Sequence, residues 1–125
     1  MFIRGVKALL PSVLIAFCLS ATAQASEPKA YMVGLVTVDN KDWIAEYRSK
    51  NAELLKKYGG RILVRGKPAE VLEGNAPDAH AVLVVEFPSM DQARGWYNDP
   101  DYRPLIELRQ TGSKVDFLLI EELKQ

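Results

Sequence analysis

The sequence has very few of the residues that build disulfides and metal centres. Its 125 residues include one cysteine, Cys18, and one histidine, His80. One cysteine excludes a disulfide within the chain, and one histidine excludes a histidine-rich metal site. No stretch resembles a phosphate-binding glycine loop, a nucleophile elbow or a zinc motif. We therefore expect neither a metal nor a cofactor.

An excess of charge of one sign is also absent. Sixteen lysines and arginines are matched by sixteen aspartates and glutamates. Proteins that bind nucleic acids through bulk charge carry a clear excess of basic residues, so we expect no nucleic-acid partner. The hydrophobic fraction of 48% is ordinary for a globular protein, and the length suits one domain.

A long hydrophobic run is missing, although the N-terminus contains a short one. Arg4 and Lys7 precede an apolar run over residues 8–19, and Ala23-Gln24-Ala25 fits the small-x-small pattern of a signal-peptide cleavage site. The run is about a dozen residues long, whereas a membrane-spanning helix needs about 20. We therefore expect residues 1–25 to be a signal peptide and the protein to be periplasmic or secreted. An uncleaved anchor is the alternative, and in either case only this segment would contact a membrane.

Cleavage at this site would leave a single domain of 100 residues, from Ser26 to Gln125. The mature chain would carry fourteen basic and sixteen acidic residues, and it would have lost Cys18. A chain without any thiol cannot use a cysteine nucleophile, an iron–sulfur cluster or a thiolate metal site.

The mature chain is patterned as β-α-β-β-α-β. One helix is expected after Asn40 and ends at Gly59-Gly60, because glycine adopts the left-handed conformation of a C-terminal cap. A second helix begins after Ser89, which forms a capping box with Gln92, and a short helical segment follows Pro100. We expect strands over Ala30–Val38, Arg61–Arg65, Ala79–Phe87 and Val115–Glu121, with a further short edge strand over Ala69–Glu73.

The strands around Val33, Val84 and Leu118 are apolar on both faces. Two helices can cover one face of a four-stranded antiparallel sheet, and a chain of this length has nothing left for the other. Either a ligand or a second copy of the chain must cover that face. Sheet-on-sheet pairing in a homodimer is the more economical answer, because one symmetric contact buries the whole face.

Three ordered motifs carry a family resemblance. They are YGGRILVRG at Tyr58–Gly66, VLEG at Val71–Gly74 and VVEFPSMDQARGWYNDPDYRPL at Val84–Leu105. With these motifs the mature chain resembles the domain-of-unknown-function family DUF1330. The resemblance implies an α+β fold with a ferredoxin-like unit, helices on one face of the sheet, and pairing into a dimeric α/β-barrel. It implies no reaction.

Five residues are candidates for a ligand site. Glu86 lies in an otherwise apolar strand and needs a hydrogen-bond donor. Arg61 and Arg65, two pleats apart, should share one face of the neighbouring strand, so we expect at least one of them to bind Glu86. Tyr31 on the first strand can reach the same cleft, and His80 opens a central strand. The alternatives are a structural ion pair that fixes strand register and a solvated histidine at a strand end.

Two functions are compatible with this pattern. The first is a small-molecule-binding protein that holds its ligand between the sheet and the helices. The second is a cofactor-independent enzyme of the isomerase or monooxygenase type, acting on a small aromatic or keto substrate, as in similar dimeric barrels. The sequence assigns no catalytic residue and no ligand.

The signal-peptide assignment is directly testable, because cleavage changes the mass of the chain. We expect the exported protein to begin at Ser26. The intact mass of protein recovered from the periplasm or the medium, after expression of the full sequence, measures this. A species that retains residues 1–19 would identify the segment as an uncleaved anchor instead.

Overall fold

The structure is a computed structural model, and it describes Phe2, Gly5 and residues 25–67, 70–75, 79 and 81–124. His80 and nearly all of the predicted signal peptide lie outside these residues. The elements are β1 (Ala30–Val38), α1 (Ile44–Lys57), β2 (Arg61–Gly66), β3 (Ala81–Phe87), α2 (Met90–Asn98), α3 (Arg103–Gln110) and β4 (Ser113–Glu121).

The four strands form one antiparallel sheet in the order β2-β3-β1-β4. This layout, with all helices on one face, confirms the predicted ferredoxin-like β-α-β-β-α-β fold. The further strand predicted over Ala69–Glu73 is wrong for the residues described there, since 70–73 contain no strand. Val71 and Leu72 are 54% and 87% exposed, so this stretch has no buried face to offset the entropy of ordering it.

Local signals set the ends of two helices as the sequence predicts. Gly59 has a positive φ of 69° and ends α1, while Gly60 N–H donates to the Leu55 carbonyl at 2.7 Å. The Ser89 hydroxyl accepts from the backbone N–H of Gln92 at 3.2 Å and caps α2. The start of α1, by contrast with that of α2, has no side-chain cap.

The core lies between the helices and one face of the sheet. Its largest fully buried side chains are Phe87, Trp96 and Tyr102. The Trp96 ring is 5.6 Å from Phe87 and 4.2 Å from Tyr102, measured between centroids. Gly34 lets Phe117 lie flat against β1, because a Cβ at Gly34 would be 2.5 Å from a carbon of that ring. Aromatic packing therefore fixes the helices on the sheet.

The other sheet face is apolar and is not covered by the helices. Strand register places Val33 of β1 between Val84 of β3 and Leu118 of β4, and Leu118 is 57% exposed. This surface, called the open sheet face below, is made by alternate residues of each strand. Glu86 and Asp116 lie at its margins, opposite Tyr31 and Leu35. Its other residues are Tyr31, Val33, Leu35, Val64, Val82, Val84, Leu118 and Ile120.

A buried carboxylate joins the end of α1 to the segment between α2 and α3. The Asp99 side chain is 3% exposed. It accepts from Lys57 Nζ at 2.8 Å, from the Tyr58 hydroxyl at 2.5 Å and from the backbone N–H of Asp101 at 2.8 Å. These hydrogen bonds, led by that from Lys57, lower the pKa of Asp99 from 3.8 to about 2.

We expect the Asp99 carboxylate to make folding sensitive to acid. Because its pKa is lower in the folded chain than in the unfolded one, the stability it contributes is complete above pH 3.8 and is lost as the pH falls towards about 2. Asp99→Asn should lower the urea midpoint at neutral pH, and its difference from wild type should shrink across that acid range. Asp91→Asn is the control, since the Asp91 side chain is 96% exposed. A difference that stays constant from pH 7 to pH 2 would contradict this role.

Candidate functional site

A cavity of about 430 Å³ lies between α1 and the helix-covered face of the sheet. We call it the interlayer cavity. Its apolar wall comes from the sheet and from two aromatic rings, Trp96 of α2 and Phe117 of β4. The full lining is Met32, Tyr47, Arg48, Asn51, Ala52, Leu55, Lys56, Gly60, Arg61, Ile62, Arg65, Leu83, Val85, Trp96 and Phe117.

The charged residues of the interlayer cavity all have the same sign. Arg48, Lys56, Arg61 and Arg65 are basic, and among the described lining residues there is no aspartate or glutamate. All four are exposed, so they surround the entrance rather than the interior. Arg61 is paired with Glu86, so Arg48, Lys56 and Arg65 are the cations that favour an anion at the entrance.

A hydrogen bond fixes the inner wall of the cavity. Trp96 Nε1 donates to Asn51 Oδ1 at 2.9 Å, and both residues are buried. Because the amide oxygen of Asn51 accepts this hydrogen bond, only its NH₂ group can serve as a donor to a further group. The wall thus presents a fixed polar group beside aromatic surface.

A second polar cluster adjoins the cavity through Tyr47, which lines it. The hydroxyl oxygens of Tyr47 and Tyr102 are 2.8 Å apart. Arg109, in the last turn of α3, is only 6% exposed, and its guanidinium carbon lies 5.1 Å from the centroid of the Phe117 ring. Its Nε has no hydrogen-bond partner among the residues that the structure describes.

The environment keeps both phenols of this cluster protonated. Burial is the main cause that raises the pKa of Tyr47 and of Tyr102 above the usual value of 10.0. The positive charge of Arg109 and its hydrogen bonds to both hydroxyls lower the two pKa values but do not outweigh burial. At neutral pH the two hydroxyls are therefore neutral donors rather than phenolates.

Glu86 lies elsewhere, at the margin of the open sheet face. Its carboxylate accepts from Arg61 Nη2 at 3.1 Å, from Lys29 Nζ at 3.3 Å and from the Tyr31 hydroxyl at 3.2 Å. The prediction that an arginine of the second strand binds Glu86 is confirmed for Arg61. Burial raises the pKa of Glu86, but the hydrogen bonds from Arg61, Lys29 and Tyr31 outweigh it and the net shift is downward.

The expectation that Arg61 and Arg65 share one face of the sheet is wrong. Ile62 and Val64 pair with consecutive residues of β3, so Leu63 is the extra residue of a β-bulge. After the bulge, each side chain of β2 points to the face opposite the one that regular alternation would give it. Arg61 remains beside the open sheet face, whereas Arg65 lies on the helix-covered side and lines the interlayer cavity.

The structure thus divides the five predicted site residues. Glu86, Arg61 and Tyr31 come together, although neither Glu86 nor Tyr31 lines the interlayer cavity. Sequence reasoning missed Asn51 and Arg109. Both could have been noticed as polar residues on buried helical stripes, since Arg109 follows Leu105 by four positions and Asn51 precedes Leu55 by four.

The sequence profile of DUF1330, a domain of unknown function, matches residues 29–123. The chain belongs to the DUF1330 family. Among curated proteins, none matches this DUF1330 protein.

Solved structures with the same fold come from several organisms. A protein of unknown function from Rhodopseudomonas palustris is 20% identical, with 78% of this chain and 85% of that chain covered and a TM-score of 0.64. SnoaB, a cofactor-independent oxygenase from Streptomyces nogalater, is 14% identical over 78% and 96% of the two chains, with a TM-score of 0.55. A hypothetical Arabidopsis thaliana protein is 13% identical over 78% and 89%, with a TM-score of 0.52. At these identities the likeness shows the fold alone.

The described part of this DUF1330 protein contains neither a membrane-spanning helix nor a cluster of metal-ligating side chains. None of its helices there is both long enough and apolar enough to cross a membrane. Within the same residues, no three histidine, cysteine, aspartate or glutamate side chains are grouped so that they could hold a metal ion.

Proposed function

We propose that this DUF1330 protein is an exported homodimer that binds a small, largely apolar molecule in the interlayer cavity. The observation that carries the proposal is the cavity itself. At about 430 Å³ it falls within the range of small-molecule sites. Its wall combines aromatic and aliphatic surface with a few polar groups, notably Tyr47 and Asn51, which is the usual composition of such sites.

Export is supported by the sequence of the first 25 residues. The basic start, the short apolar run and the Ala23-Gln24-Ala25 pattern are together typical of a cleaved signal. A mature chain without cysteine suits an oxidising compartment, since it has no thiol to oxidise.

Dimer formation through the open sheet face is supported by its composition. Leu118 and Ile120 are 57% and 51% exposed in the single chain, and Val64 is 48% exposed. They adjoin the apolar side chains of the two central strands. A second copy supplies an apolar face of the same size and shape, so one two-fold contact would bury both. The charged group of Glu86 and its donors lies beside this face and is already paired.

A cofactor-independent oxygenase or isomerase is the second candidate. SnoaB, which shares the fold, is described as a cofactor-independent oxygenase. An enzyme of this type must stabilise a substrate anion without help from a bound cofactor. The positive entrance of the interlayer cavity and the nearby guanidinium of Arg109 favour such an anion. Recovery of a chemically altered ligand after incubation in air would distinguish this activity from simple binding.

Filling the interlayer cavity should abolish binding without disturbing the core. Ala52 lines the cavity from the exposed side of α1, so the indole of Ala52→Trp would occupy the space meant for a ligand. Ala45→Trp is the matched control, because Ala45 is exposed on the same helix and does not line the cavity. Thermal-shift titration with aromatic acids and keto acids, with native mass spectrometry for a retained ligand, measures binding.

We expect wild type and Ala45→Trp to bind the same compounds with the same shifts, and Ala52→Trp to lose them. Binding by Ala52→Trp that equals wild type would place the ligand elsewhere. If no compound shifts the wild type and no ligand is retained, the binding proposal fails.

The dimer has its own test, in which two neighbouring residues of β3 give opposite results. Val84→Lys places a charge in the open sheet face and should yield a folded monomer. Leu83→Lys places the charge on the helix-covered side and should damage the fold instead. Leu123→Lys, at a side chain 87% exposed, is the control. Light scattering and circular dichroism report the two effects, and a wild-type monomer at micromolar concentration would overturn the proposed interface.

A further inference from the structure

We propose that the ligand of the interlayer cavity carries a deprotonated acid group, which accepts a hydrogen bond from Tyr47 and is stabilised by the charge of Arg109 behind that hydroxyl. This inference rests on the proposed function, because it names the chemical class of the molecule in the same cavity. A planar aromatic or unsaturated body with one carboxylate or enolate is the chemistry that fits.

The first reason is that Arg109 is a buried charge without an anionic partner. It is 6% exposed, and none of the ion pairs between described residues includes it. A buried guanidinium normally has a carboxylate or several acceptors, because leaving it uncompensated destabilises the fold. Here the guanidinium has only the neutral hydroxyl oxygens of Tyr47 and Tyr102 as acceptors, and Nε is left with no partner among the described residues.

The second reason is an excess of donors around the guanidinium. Tyr47 and Tyr102 share a single hydrogen bond, which uses one of their two hydroxyl hydrogens. Neither hydroxyl has another acceptor among the described residues, and arginine can only donate. The cluster therefore offers a spare O–H and a spare N–H with nothing to receive them, and an acid oxygen can accept both.

The third reason is position. Tyr47 and Phe117 both line the interlayer cavity, and the guanidinium carbon of Arg109 lies 5.1 Å from the Phe117 ring centroid. Arg109 itself does not line the cavity. It lies beside the Phe117 ring and hydrogen-bonds the Tyr47 hydroxyl, so its charge reaches a ligand through the one hydroxyl of the cluster that lines the cavity. Arg48, Lys56 and Arg65 at the entrance attract the same charge, and the rings of Trp96 and Phe117 provide apolar surface for the rest of the molecule.

The competing explanation is that Arg109 serves only the fold. It lies in the last turn of α3, where a cation interacts favourably with the helix C-terminus, and it packs on Phe117. The two explanations differ for the ligand-free protein. If Arg109 is kept for a ligand, Arg109→Met removes an uncompensated charge and should leave the melting temperature unchanged or raised. If Arg109 serves the fold, the same change should lower it.

Binding is tested with benzoate and its neutral analogue benzamide, by isothermal titration calorimetry on the purified full-length protein. Wild type should bind benzoate at least about tenfold more tightly than benzamide, as expected for a charged hydrogen bond in a buried site. Arg109→Met should lose that preference and bind the two equally. Arg103→Met is the matched control, because it removes the same charge from a side chain 82% exposed on the same helix, and it should keep the preference.

Each other result is decisive. Equal binding of benzoate and benzamide by wild type would overturn the role of Arg109 and leave the cavity as a site for neutral ligands. A lower melting temperature for Arg109→Met, with the benzoate preference retained, would make the residue structural. If neither probe binds wild type at millimolar concentration, the inference fails, whereas the proposed function is decided separately by the thermal-shift titration and by native mass spectrometry for a retained ligand.

Discussion

The fold depends on a sheet that is apolar on both faces, while the helices can cover only one. Phe87 and Val85 of β3 face the helices and are almost fully buried, whereas Val84, next to Val85, points to the open sheet face. Burial of apolar area is the main favourable term in folding. In a single chain one of the two sheet faces is not buried. A second copy of the chain would bury this face in one symmetric contact. The cavity under the helices on the other face would be unaffected.

The buried polar groups separate into those that hold the fold and those that do not complete their hydrogen bonds. Asp99 accepts from two side chains and a backbone amide, and all its donors lie at the junction it stabilises. Arg109 is equally buried but has an orphan Nε and no carboxylate. Satisfied networks of the first kind make a structure rigid, and incomplete ones in a native protein call for a further partner. This contrast is why Arg109, rather than the well-paired Glu86, is the better pointer to a ligand.

Residue patterning was enough to predict the architecture but not the assignment of arginines to faces. Alternation identified β1 and β3 as central strands, and Gly59 and Ser89 marked helix ends, because these signals act within a few residues. The bulge at Leu63 has no comparable local signal, since it depends on how β2 pairs with β3. One extra residue moved Arg65 to the opposite face. Arg109 was missed for a different reason: its spacing from Leu105 marks a core position on the helix, but the lack of a carboxylate partner is visible only in three dimensions.

The same bulge explains how a short edge strand contributes to two surfaces. Before Leu63, Arg61 reaches across to Glu86 beside the open sheet face, and it also lines the mouth of the interlayer cavity. After Leu63, Arg65 lies on the helix-covered side. A regular strand would have placed both arginines on one face, and the charge at the cavity entrance would have been correspondingly weaker. The bulge therefore supplies one cation, Arg65, to the cavity, while Arg61 neutralises Glu86 next to the proposed dimer interface. Because Arg61 also lines the cavity, it joins the two surfaces.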